Sequence, residues 1–478
     1  MSSENRLLSV CSGFYGYMRK VLRSAWLVPV AFLYALFCWY KGYSLATIAG
    51  FAALIVLICF FCDKINNIYA LIFFVAFFIK DIGNISEDIT GGQMRVFVIS
   101  AVAAGVALLS YAVKTFVVKK GVIEKGKLFY PLLIADAAFL LGGCIGRLNF
   151  TQIGLVFGFE FSVMLLYLLA LNCTEDLGKF LAKTFIIGAL FVSAEIIYVK
   201  WADGNIFDGN VINQKVFFFS AHSLNTGAIF LMLGIAGCYM LGAKRKSDVL
   251  YFLLALYFVF ALFLSCCRTM LAISCLVVAA IYVLLIVFSP KKLNFLWLTV
   301  LLVAVAAIGC VLFKEKIAKF IGMILEKLGR GLNGRESLWP WCVEKFLSYP
   351  VFGYGFIASE APPTVRTNLV LAHNTLLQWF TSLGVIGASM MSFFYIAKYK
   401  TLLKGFKSSR IFALLAIIGI ELSGILDQAA AMDFFVFLVP IILISSVESD
   451  ESVSALADGD VLSGAAQSLS ATEKDVGE

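Results

Sequence analysis

Long apolar runs, each closed by a short polar connector, repeat along this chain from Arg23 to Val447. A helix needs about 20 apolar residues to cross the hydrocarbon core of a bilayer. Runs of that kind predict about fourteen transmembrane helices. They fall near residues 24–40, 44–62, 66–80, 95–113, 128–146, 153–172, 180–199, 223–241, 249–267, 269–288, 295–313, 376–397, 411–427 and 433–447. The third and the last are short, and the pair flanking Arg268 also reads as one broken hairpin. The expected fold class is all-α, a polytopic membrane helix bundle forming a single domain over residues 1–447. Residues 448–478 are acidic, rich in Ser, Ala and Gly and without periodicity. That composition reads as a disordered cytoplasmic tail with no part in any chemistry.

One polar interruption, Lys314 to Asn374, is long enough to hold structure of its own. In "KEKIAKFIGMILEKLGR", Ile317, Phe320, Ile321, Ile324 and Leu328 recur at helical spacing, with Lys316, Lys319 and Lys327 off the stripe. This amphipathic helix either lies in the membrane interface or packs against the bundle. "GRESLWPWCVEKFLSYP" predicts a short helix rich in interface-favouring tryptophan. "VFGYGF" supplies turn glycines, and "APPTVRTN" an irregular stretch. Loops of this length in compact domains are usually functional.

Composition removes the soluble classes. The 478 residues are 61% hydrophobic and 14% charged, with mean hydropathy +0.94, against about 25% charged in soluble domains. The formal net charge of +8 comes from short basic connectors and does not imply nucleic acid. With the N-terminus inside, "KTFVVKKGVIEKGK", "GAKRKSD", "SPKKLN" and "KYKTLLKGFKSSR" all face the cytoplasm. About 21 basic residues then lie inside against about 7 in the short outer loops, as the positive-inside rule expects. Both termini are thus read as cytoplasmic and the 314–374 loop as extracytoplasmic. No cleavable signal pattern precedes the first span. Of the twelve cysteines, Cys59 and Cys62 have CxxC spacing but lie in an apolar run, and none joins a Cys/His cluster of metal-binding spacing. Those in apolar runs, such as Cys59, Cys62, Cys275 and Cys310, behave as small hydrophobes.

Few residues remain to carry chemistry. Arg268, Arg335, His373 and Asp427 all fall on the outer side by this topology. Arg268 either anchors to headgroups or binds an anionic ligand. Arg335 and Arg366 read alone as surface charges, and Arg147 as a headgroup anchor. Asp427 pairs with an arginine or is a plain interfacial carboxylate. The chain has only two histidines. His373 stands at the mouth of a span, as a helix cap or as a proton acceptor near neutral pH. His222 and Asn225 precede another span, where the small residues suggest helix packing. Arginine forks suit phosphate, and a histidine suits activation of a hydroxyl. Together they suit a lipid-phosphate substrate at the outer membrane edge. No DxD-type metal cluster stands in an outer loop, so neither metal nor cofactor is expected.

"GRESLWPWCVEKFLSYPVFGYGF" followed by "AHNTLLQWFTSLGVIG" resembles the O-antigen ligase and polymerase family of bacterial membrane glycosyltransferases. The shared pattern is Gly334-Arg335, Trp339 or Trp341, Pro350 with Gly353 and Gly355, His373-Asn374, then Gly384 with Gly387. "LSCCRTMLAIS" resembles the family's Ser-x-Ser-Arg element, with Cys266 and Cys267 where serine is common. "HSLNTGA" resembles its Asn-containing element, from which His222 and Leu224 depart. The resemblance spans roughly His222 to Asp427; before that, only hydropathy matches.

The resemblance implies a reaction at the outer leaflet of a bacterial cytoplasmic membrane. A glycan on a polyprenyl pyrophosphate is attacked at its anomeric carbon by an acceptor hydroxyl, without a metal. Arg268 and Arg335 would hold the departing pyrophosphate, and His373 would orient or deprotonate the acceptor. Asn225, Arg366, Asn374 and Asp427 would support substrate binding. The acceptor is a glycan, lipid or protein: a ligase uses another molecule, as in lipopolysaccharide assembly, and a polymerase another lipid-linked repeat. A flippase or transporter for the lipid-linked glycan is the alternative. It calls for charge at the membrane midplane, where Glu160 and Glu195 are the candidates.

Overall fold

The computed structural model of the chain describes residues 3–84, 91–119, 123–145, 150–202, 204, 224–243, 248–288, 292–312, 314, 315, 318, 322, 335–356, 372–426 and 435–451. Among these the regular structure is helical throughout. The helices are α1 Ser3–Leu22, α2 Leu27–Tyr40, α3 Ser44–Phe61, α4 Asn66–Asn84, α5 Gly91–Ala112, α6 Phe129–Ile145, α7 Phe150–Cys173 and α8 Leu177–Ala202. The order continues with α9 Leu224–Gly242, α10 Asp248–Ser265, α11 Arg268–Phe288, α12 Lys292–Leu312, α13 Arg335–Ser348, α14 Thr375–Leu402 and α15 Ser408–Leu426. A last helix, α16, covers residues 435–451.

Seven of these helices are long and apolar enough to cross a membrane, or eight if α1 and α2, bent by 72°, count together. Several shorter apolar helices, among them Leu45–Phe61 and Phe129–Gly142, lie in runs expected to span. A hydropathy run counts the apolar residues on either side of a break, whereas a helix ends at its turn. The expected pair around Arg268 is a helical hairpin. Cys266, at φ 63, turns the chain between α10 and α11, and Phe252 meets Tyr282 across it with ring centroids 5.6 Å apart.

The core is built around α9, which packs against α8, α10, α11 and α15. Ala228 to Leu233 are at most 1% exposed. A helix apolar on every face must be buried on every face. Close approach to α8 depends on small residues: a Cβ added at Gly237 would lie 2.8 Å from the Ala182 carbonyl oxygen. Small-residue contacts of this kind replace the hydrophobic drive that lipid cannot supply.

One end of the bundle is tied by charge. Arg23 and Lys64 reach Glu175 at 3.1 and 3.7 Å, and Lys127 and Arg410 both pair with Glu451. Glu448, 5% exposed, accepts hydrogen bonds from the Lys127 and Leu128 amides and the Tyr167 hydroxyl. The helix therefore runs past the boundary expected at residue 448, because these carboxylates are part of the packing. The tail beyond 451 lies outside the described residues.

Candidate functional site

Three elements converge at the opposite end. α13 rests on the first arm of α14 through Leu338, Cys342 and Ala372, with Trp339, Trp341 and Leu377 around them. Thr381 Oγ1 donates to the Cys342 carbonyl at 3.2 Å. Burial pushes the Cys342 thiol up to about 11, which removes it as a thiolate nucleophile near neutral pH.

The span expected over 376–397 falls within α14, which is long and apolar enough to cross a membrane but is kinked inside. At Gly384 the backbone leaves the helix at φ 65, ψ −169. Trp379, before the break, packs edge-on against Tyr395 after it, with centroids 4.7 Å apart. Sixteen residues of straight helix would separate them by about 24 Å, so the second arm folds back beside the first. The break frees backbone groups that a membrane interior cannot satisfy, and the glycine loop after α13 takes them up. The Tyr354 and Gly355 amides donate to the Thr381 and Ser382 carbonyls at 2.7 and 3.2 Å, while those of Val385 and Ile386 donate to Pro350 and Val351 at 2.8 and 3.2 Å. Side chains have no room there. A Cβ at Gly353 would stand 2.4 Å from the Ser382 backbone, and one at Gly384 2.4 Å from the Val351 oxygen. The Pro-x-x-Gly-x-Gly element is thus a backbone plug for a broken helix.

The plug and α13 fix the approach to His373. The Trp339 indole donates to the Ala372 carbonyl at 3.0 Å, and the Ala372 amide donates to buried Gln378 at 2.8 Å. On the other side Asn374 caps α14, accepting from the Leu377 amide at 2.9 Å. Its amide nitrogen donates to the Ile425 carbonyl at 2.9 Å, and Thr375 donates to Gly424 at 3.1 Å. His373 itself is exposed and holds φ 50, a conformation uncommon for any side-chain-bearing residue. The cap is therefore Asn374, and the imidazole projects from a backbone pinned on both flanks. Both ends of the Asn374 amide are engaged within the protein, which holds the backbone next to His373 in place.

Arg335 opens α13, one turn before Leu338. It lies at the edge of an open groove of about 580 Å³ lined also by Trp339, Pro340, Val343, Glu344 and Leu347. Arg268 opens α11 and is exposed. The far end of α11, at Phe288, shares a small cavity with Ser408 at the start of α15. α11 packs on α15 and both are about 30 Å long. Arg268 therefore stands at the Ile425 end, where His373 is anchored. Both arginines and the histidine share the end of the bundle away from the ion-paired carboxylates. Arg366 and Asp427 lie outside the described residues, as do His222 and Arg147; Asn225 falls in the first turn of α9, its side chain likewise undescribed. Of the amphipathic stretch in 316–330, only isolated residues are described.

Two charged residues were misread or passed over in the sequence. Lys398, counted with the inner basic connectors, is 1% exposed and pairs with Glu421, which also accepts from the Tyr399 hydroxyl. Glu421 interrupts the apolar run of α15, a signal that could have marked it. The midplane candidates Glu160 and Glu195 are each 3% exposed, and Glu160 faces the carboxyl of Asp136.

Among curated proteins no significant match to the chain is found. Residues 250–392 match the family described as O-antigen ligase. That stretch runs from α10 into the second arm of α14. It holds Arg268, Arg335, His373, the glycine plug and the break at Gly384. Over these residues the chain is similar to that family, and the match supports the resemblance to the O-antigen ligase/polymerase family.

Proposed function

We propose that this protein transfers a glycan from a polyprenyl-pyrophosphate carrier to an acceptor hydroxyl at the outer leaflet of a bacterial cytoplasmic membrane. The reading rests on one observation above the others. The family match covers the segment in which two arginines and an exposed, backbone-pinned histidine share one end of the bundle. In the proposed step the acceptor oxygen bonds to the anomeric carbon as the bond to the pyrophosphate oxygen breaks. His373 takes the hydroxyl proton. Arg268 and Arg335 stabilise the charge that builds on the leaving pyrophosphate, and their planar forks suit its paired oxygens. No step is routed through a metal or cofactor. Arg366, Asn225 and Asp427 keep supporting roles in substrate binding, and Asn374 acts through its hold on His373.

The test is transfer by purified protein supplied with a polyprenyl-pyrophosphate glycan and candidate acceptors: a second lipid-linked glycan, a lipid acceptor and a protein acceptor. Replacing Arg268 or Arg335 by Lys keeps the charge and loses the fork, so Lys should impair transfer and Ala impair it further. Full activity in both Ala variants at matched membrane abundance would remove the pyrophosphate role.

A further inference from the structure

We infer that buried Lys398 and the partly buried Glu421 and Tyr399 form a polar clamp that positions His373 for catalysis. The inference rests on the transfer reaction proposed above. Glu421 lies three and four residues before Gly424 and Ile425, so it shares their face of α15. Those two residues supply the carbonyls that hold Thr375 and Asn374. The second arm of α14, folded back at Gly384, brings Lys398 and Tyr399 to the Glu421 carboxylate. The Lys398 ammonium also sits 3.3 Å from the centroid of the Tyr395 ring, and Tyr395 packs on Trp379 of the first arm. One carboxylate thus ties together both arms of the broken helix and the helix end that grips the histidine's neighbours.

Stability alone does not account for such a pair. Desolvating two charges is costly, and apolar residues of similar volume often serve a fold as well or better. A buried ion pair does supply a defined geometry. Here the element needing definition is a hairpin-like helix whose first residues carry the candidate base. A misplacement of about 1 Å at a reacting group can cost about 10²-fold in rate. Lys398, Glu421 and Tyr399 are positioning residues in this scheme and touch no substrate.

The experiment uses the full chain, purified in lipid, with Glu421→Gln, Lys398→Met and the double variant Lys398→Met/Glu421→Gln. Glu421→Gln should lower kcat by about tenfold or more while leaving the donor KM within about twofold, because the arginines are untouched. Lys398→Met strands a partly buried carboxylate and should lower membrane abundance. The double variant removes both charges and should recover abundance without recovering kcat. A second readout needs no transfer. Thr375 is 7% exposed, so Thr375→Cys should react slowly with a water-soluble thiol reagent, relative to the same protein without that cysteine. Adding Glu421→Gln should speed the reaction. Unchanged kcat in Glu421→Gln, recovery of both abundance and kcat in the double variant, or an unchanged labelling rate would each overturn the clamp. A wild-type protein that transfers no glycan would instead sink the proposed reaction, with the labelling rate still deciding whether the clamp exists.

Discussion

At the scale of single residues, the histidine carries the sharpest test. His373 was legible as a candidate because it is one of two histidines and stands where polar sequence meets apolar. Whether it capped the helix was not legible, because a cap is defined by a hydrogen bond and a dihedral. With φ 50, replacement by Ala mixes loss of the imidazole with backbone strain. Asn tolerates that region better than other side chains and cannot serve as a base. His373→Asn should therefore insert at wild-type abundance and lose about 10²-fold or more in turnover, the scale of general-base loss. Donor binding, measured separately, should change less. Near-normal turnover in His373→Asn would leave the imidazole without a catalytic role. Lys398 was the opposite case. Its place in a lysine-rich connector made it look solvated, and only the fold of α14 shows it buried against Glu421.

At the scale of elements, the all-helical fold was legible in the apolar runs, whereas seven described helices, or eight with the bent pair, are long and apolar enough to cross a membrane, against roughly fourteen expected. The break in α14 was not legible. Gly384 sits in an unbroken apolar run, and its partners lie some thirty residues upstream in the glycine loop. A window on one segment cannot see that pairing. The contact makes a quantitative contrast between glycines. Gly384→Ala meets the Val351 carbonyl at 2.4 Å and must hold φ 65. With ψ −169 this is a backbone region essentially restricted to glycine, costing another residue roughly 1–3 kcal/mol, and forced overpacking costs roughly 1–3 kcal/mol more. Gly309 lies in α12 with nothing within 4 Å of an added Cβ. There Ala should be neutral or stabilising by up to about 1 kcal/mol. Thermal unfolding in detergent should separate the two, with Gly384→Ala lowered and Gly309→Ala unchanged or raised. Equal midpoints would mean that the plug does not hold the broken helix.

At the scale of the whole molecule, charge is sorted by end. Arg23, Lys64, Lys127 and Arg410 are held by carboxylates at one end, and Arg268, Arg335 and His373 stand at the other. The basic connectors made this polarity legible in sequence, whereas the internal carboxyl pair was not, since Asp136 and Glu160 meet only when α6 packs on α7. A transporter would need such a midplane pair to change its protonation or ligand state. An enzyme working at one face would need it only as packing. Glu160→Gln, nearly the same size, should therefore keep glycan transfer within about twofold, since a neutral amide avoids the cost of a buried charge. Loss of lipid-linked glycan movement with transfer chemistry intact would favour the transporter. The direction of the whole arrangement has its own measurement. Basic residues flanking spans are retained in the cytoplasm, so the proposed orientation has the ion-paired end inside and the His373 end outside. A reporter active only in the cytoplasm should be silent when fused after Arg330 and active when fused after Lys246. The reverse pattern would turn the bundle over. It would place His373 and both arginines on the cytoplasmic face, away from an outer-leaflet donor, and the topology and the proposed reaction would fall together.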